Sequence, residues 1–469
     1  MASRANSRVA RSSFVADLRS VLSERDFRRL FATRLVSQTG DGVFNAGFAA
    51  YVFFGAQTFP DPAAAVDAFA VLYLPYSLIG PFVGVFIDRW SRRQILVWSA
   101  LIRACLVAVT AFVVATGSIG LPLYVSVLAV LGVNRFFLSA VSAGTPHVVD
   151  HDKLVMANAV APTAGTIVGF IGGVAGLGVH LVTGGGHVGS AATLLSGGLC
   201  YAVAGLLGTR MDRALLGPRR ETLAAQARGA AGALTEIAVV LRGLAAGARH
   251  LRERRQALYA LGAITAHRLL YGILLVVAIL LYRNYFYPAS NGNAALGHGT
   301  LLVITSALGY GAAALITPSA SGRMGKRAWI VAMLAAGGII EGVLGVTFSQ
   351  IPFLIIGFAL GVTAQGVKIC VDTTVQQDVD DEYLGRVFSV YDMLFNVAFV
   401  VGPAAAAPFM PSNGKSYPLV IAVGAGYLAA AGGYAVLSGR AAGNRPPDGS
   451  PVPSPGTESP SASAQRRSS

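Results

Sequence analysis

Ionisable side chains set inside apolar runs are where this chain can do chemistry. Asp41 stands between Gly40 and Gly42 in one run, Glu341 lies in another, and Asp392 lies in a third, one turn before Asn396. Arg135 follows Asn134 deep in a fourth run. A charge in hydrocarbon is expensive, so such residues face a partner or an aqueous cavity and are functional candidates by default. A carboxyl taken out of water holds its proton more tightly and can exchange it near neutrality. Asp41, Arg135, Asp392 and Glu341 are therefore candidates for coupling a proton to another event. Asp41 has a competing reading, a structural acid paired with a base on another helix. Arg135 has one too, as a donor to backbone carbonyls. Lys368 and Asp372 are spaced i, i+4 and are expected to pair with each other. Arg103 is equally deep, and its spacing assigns it no role. Tyr51, Tyr271, Phe395 and Asn396 are candidate cavity-lining residues, with core packing as the competing role of the aromatics.

Enzymatic motifs are missing from the sequence. It has no phosphate-cradling loop, no Gly-x-Ser-x-Gly elbow and no His/Cys spacing suited to a metal. Cys105, Cys200 and Cys370 fall in separate apolar runs and read as small packing residues. The expectation is a protein that is not an enzyme and uses no cofactor and no metal.

The elements that must position these residues follow from composition. Of 469 residues, 54% are hydrophobic and 12% charged, with mean hydropathy +0.60. A soluble chain carries about 25% charged residues. Long continuous apolar runs predict an all-α polytopic membrane protein rather than a barrel of short alternating strands. Twelve spans are expected, at 30–55, 66–88, 94–116, 121–143, 157–182 and 188–209, then 256–282, 298–320, 328–348, 351–372, 387–410 and 416–438. The chain divides accordingly into a basic N-terminal segment (1–29), a first bundle (30–209), a linker (210–255), a second bundle (256–438) and a tail (439–469). In the linker, Leu234, Ile237, Val240, Leu241 and Leu244 alternate with arginines, as in an amphipathic helix on a membrane surface. The Pro/Ser/Gly-rich tail reads as disordered.

The net charge of +14 does not imply nucleic acid. The basic residues sit in the ends and in alternate loops: Arg89, Arg92 and Arg93, then Lys153, then the linker, then Arg323, Lys326 and Arg327, then Arg386. The intervening loops hold few. This is the positive-inside pattern, and it places both termini in the cytoplasm. Residues 1–27 lack an apolar core and are not a cleaved signal. Arginine far outnumbers lysine, and Ala and Gly are abundant, which fits a GC-rich bacterium and its cytoplasmic membrane.

The halves look duplicated. Arg34 recurs as Arg268, and Asp88-Arg89 recurs as Gly322-Arg323, both with an offset of 234 (268 − 34 and 322 − 88). Arg135 corresponds to Lys368 and Gly169 to Gly402, with an offset of 233 (368 − 135 and 402 − 169). Halves of like orientation are what a parallel repeat predicts.

The stretch Gly84-Val85-Phe86-Ile87-Asp88-Arg89-Trp90-Ser91-Arg92-Arg93 closes the second span. Its pattern, G-x-x-x-D-R-x-x-R-R, resembles the signature loop of the major facilitator superfamily at every specified position. Ser37-Gln38-Thr39-Gly40-Asp41, Asn134-Arg135-Phe136, Val375-Gln376 and Gly385-Arg386-Val387-Phe388 are similar to the branch that contains bacterial exporters of siderophores, macrolides and other small molecules. The resemblance covers residues 25–440. It implies two six-helix bundles around a central cavity, alternating access, and movement of a small molecule driven by an ion gradient, usually protons. It also implies that Gly84, Asp88, Arg89, Arg92 and Arg93 gate the cytoplasmic mouth. Two departures stand out: Phe170 occupies the place of a proline common in span five of antiporters, and Gly322 replaces the second-half acid. The expected partners are a small-molecule substrate, protons and the lipid bilayer, with no nucleic acid, for a chain acting as a monomer. An importer or a lysolipid flippase on the same fold is the alternative.

Overall fold

The computed structural model describes residues 14–54, 62–78, 91–150, 153–212, 215–216, 232–287 and 291–443. All regular structure among them is helical. In a bilayer the backbone must satisfy its own polar groups, and an uninterrupted helix does so within one segment. The helices are α1 (Phe14–Ser23), α2 (Arg25–Phe54), α3 (Pro62–Leu78), α4 (Arg92–Ala115), α5 (Leu121–Gly144), α6 (Leu154–Val182) and α7 (Gly186–Thr209). They continue with α8 (Gly232–Glu253), α9 (Arg255–Asn284), α10 (Gly292–Met324), α11 (Lys326–Leu344), α12 (Gln350–Asp378), α13 (Asp381–Ala406) and α14 (Tyr417–Gly443).

Ten of these, α4 to α7 and α9 to α14, are long and apolar enough to cross a membrane. Two further expected spans coincide with α2 and α3. Helix α2 has 30 residues but carries Arg34, Gln38, Asp41 and Asn45 among its apolar ones. The expected span 66–88 runs beyond Leu78, outside the described residues.

Several boundaries depart from the sequence reading. The basic segment expected to end at residue 29 is helical from Phe14, because Val21, Phe27 and Leu30 bury an apolar face against Ile95, Leu96 and Phe137. Helix α10 starts six residues before 298, where the Asn291 side chain accepts from the Ala294 N–H at 3.3 Å, a cap that ends the preceding loop. Helix α12 continues six residues past 372 to Asp378.

Helix pairing repeats between the halves. Helix α7 packs against both α2 and α4, as α14 packs against both α9 and α11. Helix α2 also packs on α6, and α9 on α13. At these two seams the backbones touch. A Cβ on Gly42 would lie 1.9 Å from the Gly169 carbonyl, and one on Gly402 would lie 2.1 Å from the Leu269 carbonyl. Only glycine permits that approach, which is how small residues hold membrane helices together.

The halves meet at the end of the molecule opposite the termini. Phe69 and Tyr73 of α3 pack on Phe399 of α13, with ring centroids 5.6 and 4.6 Å apart. Gly185, after α6, abuts the Asn293 side chain, and Gly292 abuts the Phe54 carbonyl. At the terminal end, α8 docks on the start of α13. His250 stacks on Tyr383 at 4.3 Å, and Arg254 donates to both Asp380 oxygens at 2.6 Å.

Candidate functional site

Asp41 is at the centre of a buried polar cluster in the first half. Helix α4 brings Arg103 to it, and the two form an ion pair in which Arg103 is fully buried. Tyr201 of α7 donates to Asp41 Oδ1 at 2.9 Å, and Asn134 of α5 approaches Oδ2 at 3.5 Å. Arg103 also donates to Ser37 Oγ at 3.0 Å, and its guanidinium lies 3.7 Å from the Tyr201 ring centroid. Arg103, Tyr201 and Asn134 are the partners that spacing alone did not supply. The signal that could have found Arg103 is charge complementarity, since Asp41 is the acid of the first half's opening span and Arg103 the base of its third.

A second set of charges lies between the halves. Asp392 is exposed although it sits mid-helix in α13. It interacts electrostatically with Arg135 of the first half and with Lys368 and Asp372 of α12. Lys368 and Asp372 pair at 2.5 Å, as their spacing predicts. Asn396 turns back to donate to the Asp392 carbonyl at 2.8 Å, which ties it to its own helix. Tyr271 bonds Ser306 Oγ at 3.4 Å and stacks on Phe399 at 5.9 Å. Phe395 and Phe399 flank the Arg268 guanidinium at 4.0 and 3.9 Å.

Glu341 is placed differently. Its side chain is fully buried on α11, and neither carboxyl oxygen has a hydrogen-bond partner among the described residues. Tyr427 of α14 is nearby and interacts electrostatically with it. The Tyr427 hydroxyl bonds His267 Nδ1 of α9 at 3.1 Å. Beside it α11 and α14 touch at backbone level: a Cβ on Gly338 would lie 2.8 Å from the Gly424 carbonyl.

Tyr51 is not a cavity residue. It is buried in the first half, donates to the Ser118 carbonyl at 3.1 Å and meets His187 edge-on at 5.5 Å. Its ring fixes the loop between α4 and α5.

Of the signature stretch, Gly84, Asp88 and Arg89 lie outside the described residues. Arg92 and Arg93 open α4 and cap neighbouring helix ends. Arg92 donates to the Ala143 carbonyl at 3.0 Å and the Leu216 carbonyl at 3.3 Å, and Arg93 donates to the Thr209 carbonyl at 2.7 Å. Cations at helix C-termini also complement the macrodipole. Asp380 is held by Arg254, with His250 at 3.5 Å. That guanidinium keeps the Asp380 carboxyl below the usual carboxylate range.

Comparison with known proteins gives one direction. The sequence profile of the Major Facilitator Superfamily matches residues 30–403. Two uncharacterized MFS-type transporters, from Mycobacterium bovis and Mycobacterium tuberculosis, are each 36% identical over 414 residues, covering 88% of this chain and 91% of theirs. Among solved structures, the nucleoside transporter NupG superposes with a TM-score of 0.62 at 14% identity, covering 88% of this chain and 99% of its own. A peptide transporter, POT, superposes with a TM-score of 0.65 at 12% identity, covering 90% and 98%. At those identities the structures speak for the fold alone. The profile and the mycobacterial relatives, each spanning most of the chain, settle the family: this protein belongs to the Major Facilitator Superfamily, a multi-pass membrane transporter of small molecules and not an enzyme.

Proposed function

We propose that this protein is a secondary active transporter of the bacterial cytoplasmic membrane that exports a small molecule in exchange for protons. Twelve spans form two six-helix bundles, 30–209 and 256–438, that rock about a central cavity, with both termini cytoplasmic and the chain acting as a monomer. The observation that carries the reading is Asp392, a carboxylate exposed mid-helix that interacts electrostatically with Arg135 of the other half. An acid in that position can exchange protons with cavity water, and its charge attracts or releases the opposite bundle. Protonation thereby changes the balance between two arrangements, as coupled switching requires. With the termini inside, the packed end formed by Phe69, Tyr73 and Phe399 is external, so this is the arrangement closed to the outside. Export rests on the likeness of the Asp41, Arg135 and Arg386 stretches to exporters. Gly84, Asp88 and Arg89, with Arg92 and Arg93, would form the cytoplasmic latch.

The test uses proteoliposomes with an entrapped pH-sensitive dye and a panel of small organic solutes. At least one solute is expected to drive proton movement, and Asp392→Asn is expected to keep solute binding while losing that movement. Proton-independent solute flux, or full coupling in Asp392→Asn, would contradict the reading.

A further inference from the structure

Between the halves the described interior holds three bases, Arg135, Lys368 and Arg268, and two acids, Asp372 and Asp392. Lys368 pairs with Asp372 at 2.5 Å, and Arg135 interacts with Asp392. Arg268 is the cation left over. It is 7% exposed, and it has no hydrogen bond and no ion pair among the described residues. Its surroundings are aromatic: Phe395 at 4.0 Å, Phe399 at 3.9 Å and Tyr271 at 5.9 Å. Ring faces attract a guanidinium, but they accept none of its five N–H groups in good geometry. A buried base with its donors unused is a costly arrangement that membrane proteins keep at functional sites.

The repeat sharpens this. Arg34 occupies the equivalent position in the first half, and there Gln38, one turn on, accepts from its Nε at 2.9 Å. The residue equivalent to Gln38 is Gly272 (38 + 234), which has no side chain to serve Arg268. The second half thus lacks this acceptor, and the Arg268 donors have no partner among the described residues.

The aromatic wall continues across the boundary between the halves. Tyr271 and Phe399 stack nearly parallel, with 19° between their planes, and Tyr73 of α3 meets Phe399 edge-on at 4.6 Å. Tyr271 and Phe395 are half-buried, so this wall is open on one side. A ligand lying on it would touch Arg268 and Phe395 from the second half while bordering Tyr73 from the first.

We propose that Arg268, with Tyr271, Phe395 and Phe399, binds a small organic anion that has a carboxylate or similar oxyanion head and a flat apolar body. The head takes the free guanidinium N–H groups in a forked pair, and the body stacks on the rings. This names the substrate class and rests on the transporter reading above.

The test measures binding to the full-length protein in nanodiscs by calorimetry. The probes are 2-naphthoate, 2-naphthamide, 2-naphthylmethylamine and inorganic phosphate at one pH and ionic strength. Naphthoate is expected to bind at least tenfold more tightly than each of the others. Arg268→Gln should erase that preference, and Arg268→Lys should retain part of it, because the charge remains while the fork is lost. Four results would overturn the proposal: equal binding of the three naphthyl probes, preference for the amine, binding of none, or unchanged naphthoate affinity in Arg268→Gln. Phosphate binding as tightly as naphthoate would remove the flat body. Preference for the amine with proton coupling intact would sink this inference and leave the transporter reading. Anion binding without any coupled flux would do the reverse.

Discussion

The same three helix positions in the two halves hold two different solutions to a buried acid. In the first half the acid is on the opening helix, the base on the third and the tyrosine on the sixth: Asp41, Arg103 and Tyr201. In the second half the base is on the opening helix and the acid on the third, with the tyrosine again on the sixth: His267, Glu341 and Tyr427. The pairing of helices is repeated, so the scaffold does not explain the difference. Chemistry does. A guanidinium is always charged and pairs with Asp41, whereas the His267 ring is turned toward Tyr427 and Glu341 has no countercharge among the described residues. An isolated carboxylate in a dry site costs several kcal/mol, which a bound proton removes. From this contrast we propose that the first cluster is a fixed charge pair and the second a proton store.

The largest effect expected from this contrast is on stability. Asp41→Asn leaves Arg103 buried without its anion and should cost roughly 3 kcal/mol, read as a lower melting temperature of the purified protein. Combining Asp41→Leu with Arg103→Met should recover most of the loss, since an apolar pair avoids desolvating both charges. Equal losses in the single and double variants would break the comparison.

A next effect is on helix contact. Gly42→Leu places a side chain where the Gly169 carbonyl already lies, so α2 and α6 must separate. The expected cost is about 1–3 kcal/mol, the range for overpacking, with a matching loss in Gly402→Leu at the repeat-related seam. Tolerance at one seam but not the other would show that the halves are not built alike there.

Glu341→Gln should change stability by less than about 1 kcal/mol, because the amide has the shape of the neutral acid and the site asks for no charge. A loss as large as that of Asp41→Asn would mean that Glu341 is ionised and has a partner.

The smallest effect concerns the linker. Arg254 depresses the Asp380 pKa, so their attraction is fully present above the ordinary carboxylate value and fades only as pH falls through the lowered one. Hydrogen exchange across 232–253, divided by the intrinsic rate at each pH, should therefore be flat from pH 8 to about 5 and rise only in stronger acid. Arg254→Gln should raise it at every pH, with little change in melting temperature. Exchange that already rises at pH 6 would contradict this assignment.

Much of this was legible in the sequence, and the parts that were not share a cause. Apolar length announces membrane helices, because the bilayer demands it, and the offset of 234 announced the repeat. Asp41, Arg135, Glu341 and Asp392 stood out as charges in apolar runs. What could not be read was which of them meet. Asp41 and Arg103 are 62 residues apart on separate helices, and their contact depends on how each helix is rotated about its axis. Tyr51 could not be assigned for the same reason: an aromatic in an apolar span gives no sign of facing a cavity or a loop carbonyl. Helix α1 and the first turn of α2 were missed because arginines interrupt the apolar run. Their buried face, Val21, Phe27 and Leu30, survives only at helical spacing.

The most direct measurement is infrared difference spectroscopy of the protein in nanodiscs at neutral pH, comparing wild type with Glu341→Gln and with Asp41→Asn. It needs no substrate and reads the protonated carboxyl C=O stretch. Such a band is expected in wild type, should disappear in Glu341→Gln and should persist in Asp41→Asn. A wild-type spectrum whose protonated-carboxyl band survives Glu341→Gln and vanishes in Asp41→Asn would contradict it, placing the stored proton in the first half.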